Sequence, residues 1–247
     1  MLRYVGVVDR GLVHETNDDA AMLKHSVIHD GIFEGESLIE GGLFAVADGV
    51  GSIENSELAS RYVLYCIEEC NSRKSEEIIQ CINEANSSLV KNNYGKILST
   101  TLCAVGILGS QLISYNVGNS RLYRFRGGYL RQLTRDHSKV QELLDMGLLN
   151  EETAKNYPEK NVITRCLGAA GFSTDWITVT EHRENFIYND VLMLCTDGIH
   201  EYIQIEGLEN ILSEDVSLRE KAKKIIRCAH DKGGQDNETV VLIEKNE

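Results

Sequence analysis

The stretch LFAVADGVGS at residues 43–52 decides the fold of this 247-residue chain. Its apolar residues 43–47 predict a buried strand, because a short apolar run bounded by glycines is typical of a strand covered on both faces. Asp48 follows the run, and Gly49 lets the backbone turn sharply just after it. One Asp-Gly pair by itself indicates only a turn. A carboxylate fixed at the end of a core strand is also suited to a hard cation, which prefers oxygen ligands.

Three further acidic segments repeat this arrangement. Asp197 follows the apolar run 191–195, and Asp236 comes shortly before the last apolar run of the chain. The pair Asp18 and Asp19 stands directly before AAML. Four acidic strand ends predict a shared carboxylate cluster, which is costly because like charges repel unless cations bind between them.

The composition is that of an ordinary soluble globular protein, with 42% hydrophobic and 26% charged residues. The length suits one domain over residues 1–247. The net charge of -13 argues against nucleic acid or an anionic membrane as a partner. Asp9 and Arg10 come too early for a signal peptide, and no apolar run is long enough to cross a bilayer. We therefore expect a cytoplasmic protein.

The seven cysteines are scattered along the chain and form no close CxxC pair. Their odd number and their spacing predict neither a disulfide framework nor a zinc site. Cys66, Cys103 and Cys195 lie in apolar stretches, so we expect them to be small core residues.

The order of the predicted elements indicates an α+β fold. Strand patterns occur at residues 4–8, 20–23, 43–48, 99–108, 112–117, 121–126, 129–133, 176–182, 191–195 and 239–243. Two helices begin at Ser56 and Ser75 with no strand between them, which argues against a strictly alternating βαβ fold. We expect a four-layer αββα sandwich, in which two central antiparallel sheets are flanked by helices.

Local patterns give more detail. The first helix is predicted to bury an apolar face formed by Leu58, Tyr62, Cys66 and Cys70, with Ala59, Val63 and Ile67 beside them.

Residues 24–42 are rich in Gly and Glu and predict an irregular surface segment. Gly127 and Gly128 indicate a tight hairpin. Capping patterns at Ser138 and Ser217 predict two further helix starts, and residues 148–158 are a candidate flap.

Seven short motifs occur in order along nearly the whole chain, at residues 17–20, 47–51, 99–101, 117–121, 133–138, 195–198 and 234–237. Together they resemble the metal-dependent serine/threonine protein phosphatases of the type 2C (PPM) family, most closely the small bacterial members. The resemblance implies two packed antiparallel sheets flanked by helices. It also implies a pair of Mn²⁺ or Mg²⁺ ions at one edge of the sandwich.

The resemblance further implies which residues hold the two ions. Asp48 matches the residue that bridges both metals, and Asp197 and Asp236 match ligands of one of them. The backbone carbonyl of Gly49 faces the other metal. All four residues are therefore expected as metal ligands.

The implied reaction is an attack on phosphorus by a water that the two metals activate. Two nearby cations can lower the pKa of a shared water until hydroxide forms near neutral pH. Asp18 and Asp19 match the acidic pair that binds or orients metal-bound waters, and together with Asp48 they are the expected catalytic residues. No cysteine is needed as a nucleophile.

Four positions depart from the family pattern. His14 stands where an Arg usually grips the phosphate, so we predict weaker phosphate binding unless His14 is only a loop residue. Asn119 replaces an Asp that helps to hold a third, looser metal ion, so we predict a weak or absent third site. Val50 stands where some relatives have a His acting as a general acid, so the leaving group would take its proton from a metal-bound water. Ser52 replaces a usual Gly, with little expected effect.

The leading interpretation is a phosphatase that removes phosphate from phosphoserine or phosphothreonine in proteins, in signal transduction opposite a serine/threonine kinase. The alternative is a phosphoprotein sensor that keeps the fold but turns over poorly, as His14 and Asn119 could allow. A third interpretation is a hydrolase of small phosphate esters. The complete set of expected ligands favours the enzyme over the sensor.

Overall fold

Two antiparallel β-sheets form the centre of the computed structural model, which describes residues 1–38, 41–50, 56–70, 72, 74–91 and 98–246. In chain order the strands are β1 (Leu2–Asp9), β2 (Asp19–Leu23), β3 (Ser26–Ile28), β4 (Gly31–Ser37), β5 (Gly41–Val50), β6 (Ser99–Thr100), β7 (Leu102–Leu108), β8 (Gln111–Val117), β9 (Arg121–Arg126), β10 (Tyr129–Gln132), β11 (Thr178–His182), β12 (Val191–Cys195) and β13 (Glu238–Lys245). The helices are α1 (Ser56–Cys70), α2 (Ser75–Lys91), α3 (Lys139–Asp145), α4 (Glu151–Lys155), α5 (Asp197–His200), α6 (Ile205–Ser213) and α7 (Leu218–Asp231).

The two sheets pack face to face. The first has the strand order β10-β9-β12-β13-β1-β4, and the second has the order β11-β8-β7-β5-β2-β3 with β6 paired to β5. The core between them contains Leu192 and Val241 from the first sheet and Phe44, Val46 and Val105 from the second, all fully buried. The residues quoted first, 43–47, thus lie in β5 in the middle of the second sheet, as predicted.

Helices cover the outer face of each sheet, which confirms the predicted αββα order. Helices α1 and α2 pack on the second sheet, where Val63 and Ile82 contact Ala45 and Ala104 in one apolar cluster. Helices α5, α6 and α7 pack on the first sheet. Among the described residues, no helix has the length and apolar character needed to cross a membrane.

The buried face of α1 differs from the prediction. Leu58 and Tyr62 are 48% and 38% exposed, whereas the buried residues are Ser56, Ala59, Ser60, Val63, Leu64 and Ile67. The predicted neighbours Ala59, Val63 and Ile67 are therefore the centre of the buried face, and the row of larger side chains lies at its rim. Small residues at the contact allow the helix to approach the sheet closely, which a periodicity of apolar residues alone does not reveal.

The prediction of an irregular segment at residues 24–42 is wrong, because most of these residues form strands β3 and β4. Strand β4 pairs with β1 from Leu2 opposite Ser37 to Val8 opposite Gly31 and is the edge of the first sheet. Its side chains alternate between exposed and half-buried, so it lacks the apolar pattern that identifies a core strand. A strand at the edge of a sheet can pair through backbone hydrogen bonds alone, so its side chains need not show a recognisable sequence pattern.

The prediction that the cysteines form no disulfide framework missed one disulfide. Cys70 at the end of α1 and Cys81 in α2 form a disulfide, with Cα atoms 6.3 Å apart. The two cysteines meet because α1 and α2 pack side by side, a contact that sequence spacing does not show. Cys103 and Cys195 are buried core residues as expected, whereas Cys66 is only partly buried.

The local capping and turn signals are confirmed. Ser138 and Ser217 cap α3 and α7, each accepting a hydrogen bond from the backbone N–H three residues later. Gly127 and Gly128 have φ angles of 58° and 89°, which the tight turn between β9 and β10 requires. Helix α4 lies within the candidate flap at residues 148–158, and the role of this segment as a flap stays a prediction.

Candidate metal centre

Asp48 is held rigidly at the end of the central strand β5. Its backbone N–H donates to Thr101 Oγ1 at 3.0 Å, and its carbonyl accepts from the Thr101 N–H at 2.8 Å and from Thr100 Oγ1 at 2.9 Å. Asp19 lies directly opposite Asp48 in the pairing of β2 with β5. The two carboxylates therefore meet at one edge of the second sheet, as the sequence predicted.

Gly49 lies where the chain passes close to two other segments. Its N–H donates to the carbonyl of Asp18 at 3.0 Å. A Cβ at this position would lie 2.5 Å from the carbonyl oxygen of Ser56 and 3.0 Å from that of Asp18. Glycine is therefore required by space, because backbone atoms cannot move aside as a flexible side chain can.

Hydroxyl groups orient the carboxylates of Asp18 and Asp19 at the start of β2. Asp18 Oδ2 accepts from Ser56 Oγ at 2.6 Å, while Asp18 Oδ1 is buried without a hydrogen-bond partner. Asp19 is 1% exposed, and its Oδ2 accepts from Thr196 Oγ1 at 2.7 Å. An orphaned buried oxygen is costly unless a ligand satisfies it, so Asp18 Oδ1 points to a bound group in this cluster.

Asp197 and Asp236 reach the same cluster from the first sheet. Asp197 is the first residue of α5, directly after β12, and its Oδ2 accepts from Asn119 Nδ2 at 3.0 Å. Burial raises the pKa of Asp48, and repulsion from the nearby Asp197 adds to it. Asp236 precedes β13, and its Oδ1 lies 3.7 Å from Nε2 of His14. The structure thus places Asp48, Asp197 and Asp236 close together, with His14 and Asn119 at the margin.

Burial and neighbouring carboxylates raise the pKa of four carboxyls in this cluster, those of Asp19, Asp48, Asp197 and Asp236. Burial is the largest cause for Asp19 and Asp48, whose pKa lies well above the usual value, and repulsion from neighbouring carboxylates adds to it. Burial and then Asp236 raise the pKa of Asp197 to about 6. Burial also raises the pKa of Asp236. Divalent cations would relieve both effects, so this oxygen donor set fits hard metal ions.

Asn237 is a site residue whose role the sequence did not indicate. Its Oδ1 accepts from the N–H of Asp18 at 2.8 Å, and its Nδ2 donates to the carbonyls of Arg10 and Thr16 at 2.9 and 3.0 Å. The side chain therefore fixes the loop that holds His14 and Asp18 against the start of β13. Its place next to Asp236 in the motif at 234–237 was the only available signal.

Two predicted positions give little further information. Val50 ends β5 and pairs with Ser99, so an apolar side chain occupies the place where a general acid was considered. Gly51 and Ser52 lie outside the described residues.

Comparison with known proteins identifies the family. The profile of the family described as protein phosphatase 2C matches residues 30–238. The chain belongs to the protein phosphatase 2C family. The serine/threonine phosphatase Stp of Listeria welshimeri is 34% identical to this phosphatase over 252 residues, which cover 96% of this chain and 94% of that protein. The predicted family is therefore confirmed.

Solved structures confirm the fold of this phosphatase. The crystal structure of the serine/threonine phosphatase PstP of Mycobacterium tuberculosis superposes with a TM-score of 0.84 at 27% identity, covering 100% of this chain and 99% of that chain. A structure of the PstP catalytic domain with two manganese ions has a TM-score of 0.81 at 27% identity, covering 100% of this chain and 99% of that one.

Proposed function

We propose that this protein hydrolyses phosphoserine and phosphothreonine in proteins, using two Mn²⁺ or Mg²⁺ ions held by Asp48, Gly49, Asp197 and Asp236. The observation that carries the proposal is the convergence of one buried carboxyl, Asp19, with the half-buried carboxyls of Asp48, Asp197 and Asp236 at one edge of the sandwich, where the pKa of each is raised. Bound cations would stabilise such a cluster, because they offset the repulsion between its carboxylates. The manganese pair in the PstP catalytic domain supports the choice of metal.

The two ions, when bound, supply an activated water and neutralise charge on the phosphoryl group. The chain supplies rigid positioning. The backbone of Asp48 is fixed through both its N–H and its carbonyl, so the point from which its carboxylate reaches the site is held in place. Asp18 Oδ1 has no hydrogen-bond partner and could accept a hydrogen bond from a water. The carboxylate of Asp19 is held in place by a hydrogen bond from Thr196 Oγ1. Val50 has no ionisable group, so it cannot act as a general acid at that position.

His14 is proposed as the phosphate-binding residue of this chain. Its side chain is 48% exposed and lies beside Asp236, so it is accessible to a phosphoryl group that binds next to the proposed metal ligands. An imidazole can donate one hydrogen bond to a phosphate oxygen, whereas a guanidinium donates two in parallel. We therefore propose weaker phosphate binding than an arginine would give.

The cellular setting follows from the same proposal. The substrates are phosphorylated proteins in signal transduction, and the opposing activity is a serine/threonine kinase. A cytoplasmic location is proposed, and neither nucleic acid nor a membrane is proposed as a partner because the net charge is -13.

The test is phosphate release from a phosphothreonine peptide with Mn²⁺, with EDTA, and in the variant Asp48→Asn. We expect turnover that needs the metal and that falls by about 100-fold or more in Asp48→Asn, since the variant weakens binding of the ions that stabilise the developing charge. Asp215→Asn is the matched control, because Asp215 is an exposed carboxylate on another part of the surface. Equal rates with EDTA and with Mn²⁺ would contradict the proposal.

The same assay separates the two other interpretations. A sensor would bind the phosphopeptide and the metal ions but release no phosphate. A hydrolase of small phosphate esters would show a higher kcat/KM for free phosphoserine than for the phosphopeptide. The relatives named as serine/threonine phosphatases favour the protein phosphatase over both.

A further inference from the structure

A second cluster of metal-binding side chains lies outside the phosphatase centre. It consists of Asp9 at the end of β1, His230 in the last turn of α7 and Glu238 at the start of β13. His230 Nε2 lies 3.2 Å from Asp9 Oδ1 and 3.2 Å from Glu238 Oε2. One ligand atom from each residue falls within 4.8 Å of the other two. Three separate elements therefore bring one imidazole and two carboxylates to a single point.

Glu238 is the observation that points to a ligand. It is 1% exposed, and its Oε2 is buried without a hydrogen-bond partner. Asp9 lies directly opposite it in the pairing of β1 with β13, so the backbone itself holds the two carboxylates together. The Nε2 of His230 can carry at most one hydrogen, and it lies 3.2 Å from both Asp9 Oδ1 and Glu238 Oε2, so one hydrogen faces two acceptors. A buried carboxylate oxygen aimed at this cluster is thus left without a donor.

We propose that Asp9, His230 and Glu238 bind a divalent transition-metal ion of the zinc type. A tetrahedral ion with bonds of about 2.0–2.1 Å to nitrogen and oxygen places its ligand atoms about 3.4 Å apart. The two distances of 3.2 Å around His230 Nε2 agree with this arrangement. Imidazole nitrogen favours a transition metal over Mg²⁺ or Ca²⁺, which prefer oxygen ligands alone.

The open side of the cluster completes the site. The side chains of Asp9 and His230 are 38% and 28% exposed, whereas Glu238 closes the inner side. Solvent can therefore supply the ion and a water as its fourth ligand.

The ion would stabilise the loop that holds a ligand of the phosphatase centre. Residues 232–237 connect α7 to β13 and contain Asp236, and the proposed site joins both ends of this loop to β1. The two sites share no ligand. Binding of the proposed ion therefore does not depend on the proposed catalytic reaction.

The experiment is a calorimetric titration with Zn²⁺ on chelator-treated full-length protein. The background variant Asp48→Asn/Asp197→Asn weakens the phosphatase centre, so that the second site dominates the signal. We expect one tightly bound Zn²⁺, and an affinity lower by about 100-fold or more when His230→Gln is added, because even changes around a ligand cost 10–100-fold. His29→Gln is the matched control, since His29 is exposed and outside the cluster.

A second measurement covers the case in which the background variant does not fold. Wild-type protein loaded with Co²⁺ should show the visible absorption of a tetrahedral ion, and His230→Gln should lose it. Zn²⁺ should also raise the Tm of the wild-type protein more than that of Glu238→Gln. Equal Zn²⁺ stoichiometry and equal Co²⁺ spectra in wild type and His230→Gln would overturn the proposal and leave the cluster as an ion pair.

Discussion

Asn119 shows how a single side chain sets the charge of the site. It is buried, its Nδ2 donates to Asp197 Oδ2 at 3.0 Å, and its backbone carbonyl lies 3.0 Å from His200 Nε2. An amide at this place satisfies a carboxylate of the cluster without adding charge. An aspartate would add a negative charge and remove the donor, which favours a further divalent ion.

We therefore predict that Asn119→Asp binds a third Mn²⁺ more tightly than the wild-type protein does, by about tenfold, and turns over faster at high Mn²⁺. The added carboxylate supplies a charged ligand where the amide offers only a neutral oxygen. Titration of activity and of bound Mn²⁺ against metal concentration checks this prediction. A wild-type protein that already holds a third ion tightly would contradict it.

His14→Arg is predicted to lower KM for a phosphopeptide by about tenfold, with a smaller effect on kcat. The arginine would present two parallel donors and a permanent charge to the phosphate. His25→Arg is the control, because it adds the same side chain at an exposed position that pairs with Glu68 instead. An unchanged KM in His14→Arg would leave His14 as a loop residue.

The sequence indicated the residues of the site that stand at strand ends, but not the residues that position them. Asp48 and Asp197 follow apolar runs, and this local signal is readable without a structure. Asn237 acts on Asp18 across 219 positions of sequence, and Thr196 acts on Asp19 across 177. Contacts between residues so far apart in sequence arise when strands pack together in the fold, so no pattern of neighbouring residues predicts them.

Among the elements, the junction of β5 with α1 is where the site depends most on close packing. Gly49→Ala would bring its Cβ to 2.5 Å from the Ser56 carbonyl, so either the strand or the start of α1 must shift. We predict a loss of about 1–3 kcal/mol in the free energy of unfolding, together with weaker Mn²⁺ binding. Denaturant unfolding with and without Mn²⁺ measures both effects.

Gly106→Ala is the matched control for this prediction. Gly106 also lies within a strand of the second sheet, but its Cβ would lie 3.7 Å from the nearest atom, the carbonyl oxygen of Ile113. This is an ordinary contact, so little change is expected. Similar losses in both variants would show that any side chain is unfavourable in these strands and that the approach of α1 is not the cause.

The elements that could be predicted are those with local chemistry. Capping serines, the two-glycine hairpin and the apolar core strands were readable because each signal lies within a few residues. Strand β4 and the face of α1 could not be read in the same way. The first depends on an edge position in the sheet, and the second depends on small residues that allow close approach.

At the scale of the whole molecule, the site lies where the two sheets meet. Asp19 and Asp48 belong to the second sheet, while Asp197 and Asp236 adjoin strands of the first. Metal binding would therefore join the two halves of the sandwich. This arrangement, with a core shared by both sheets, supports the proposal that residues 1–247 form one domain.

The repulsion within the cluster gives a prediction about stability without metal. Burial and Asp236 raise the pKa of Asp197 to about 6 from a usual value of 3.8. A carboxyl with a raised pKa in the folded state contributes stability fully below about pH 4, and this contribution is lost as the pH rises through about 6. At pH 7.5 the charged, metal-free cluster therefore opposes folding.

Asp197→Asn should consequently raise the Tm in EDTA at pH 7.5, by roughly 3–6 °C for a gain of about 1–2 kcal/mol, because it removes one of the repelling charges. The difference should shrink at pH 4.5, where Asp197 is protonated in the wild-type protein. Saturating Mn²⁺ should reverse the order, since the wild-type protein alone retains the full ligand set and binding stabilises the folded state. Thermal unfolding under the three conditions is the measurement, and a variant less stable than wild type in EDTA would mean that Asp197 stabilises the fold even without metal.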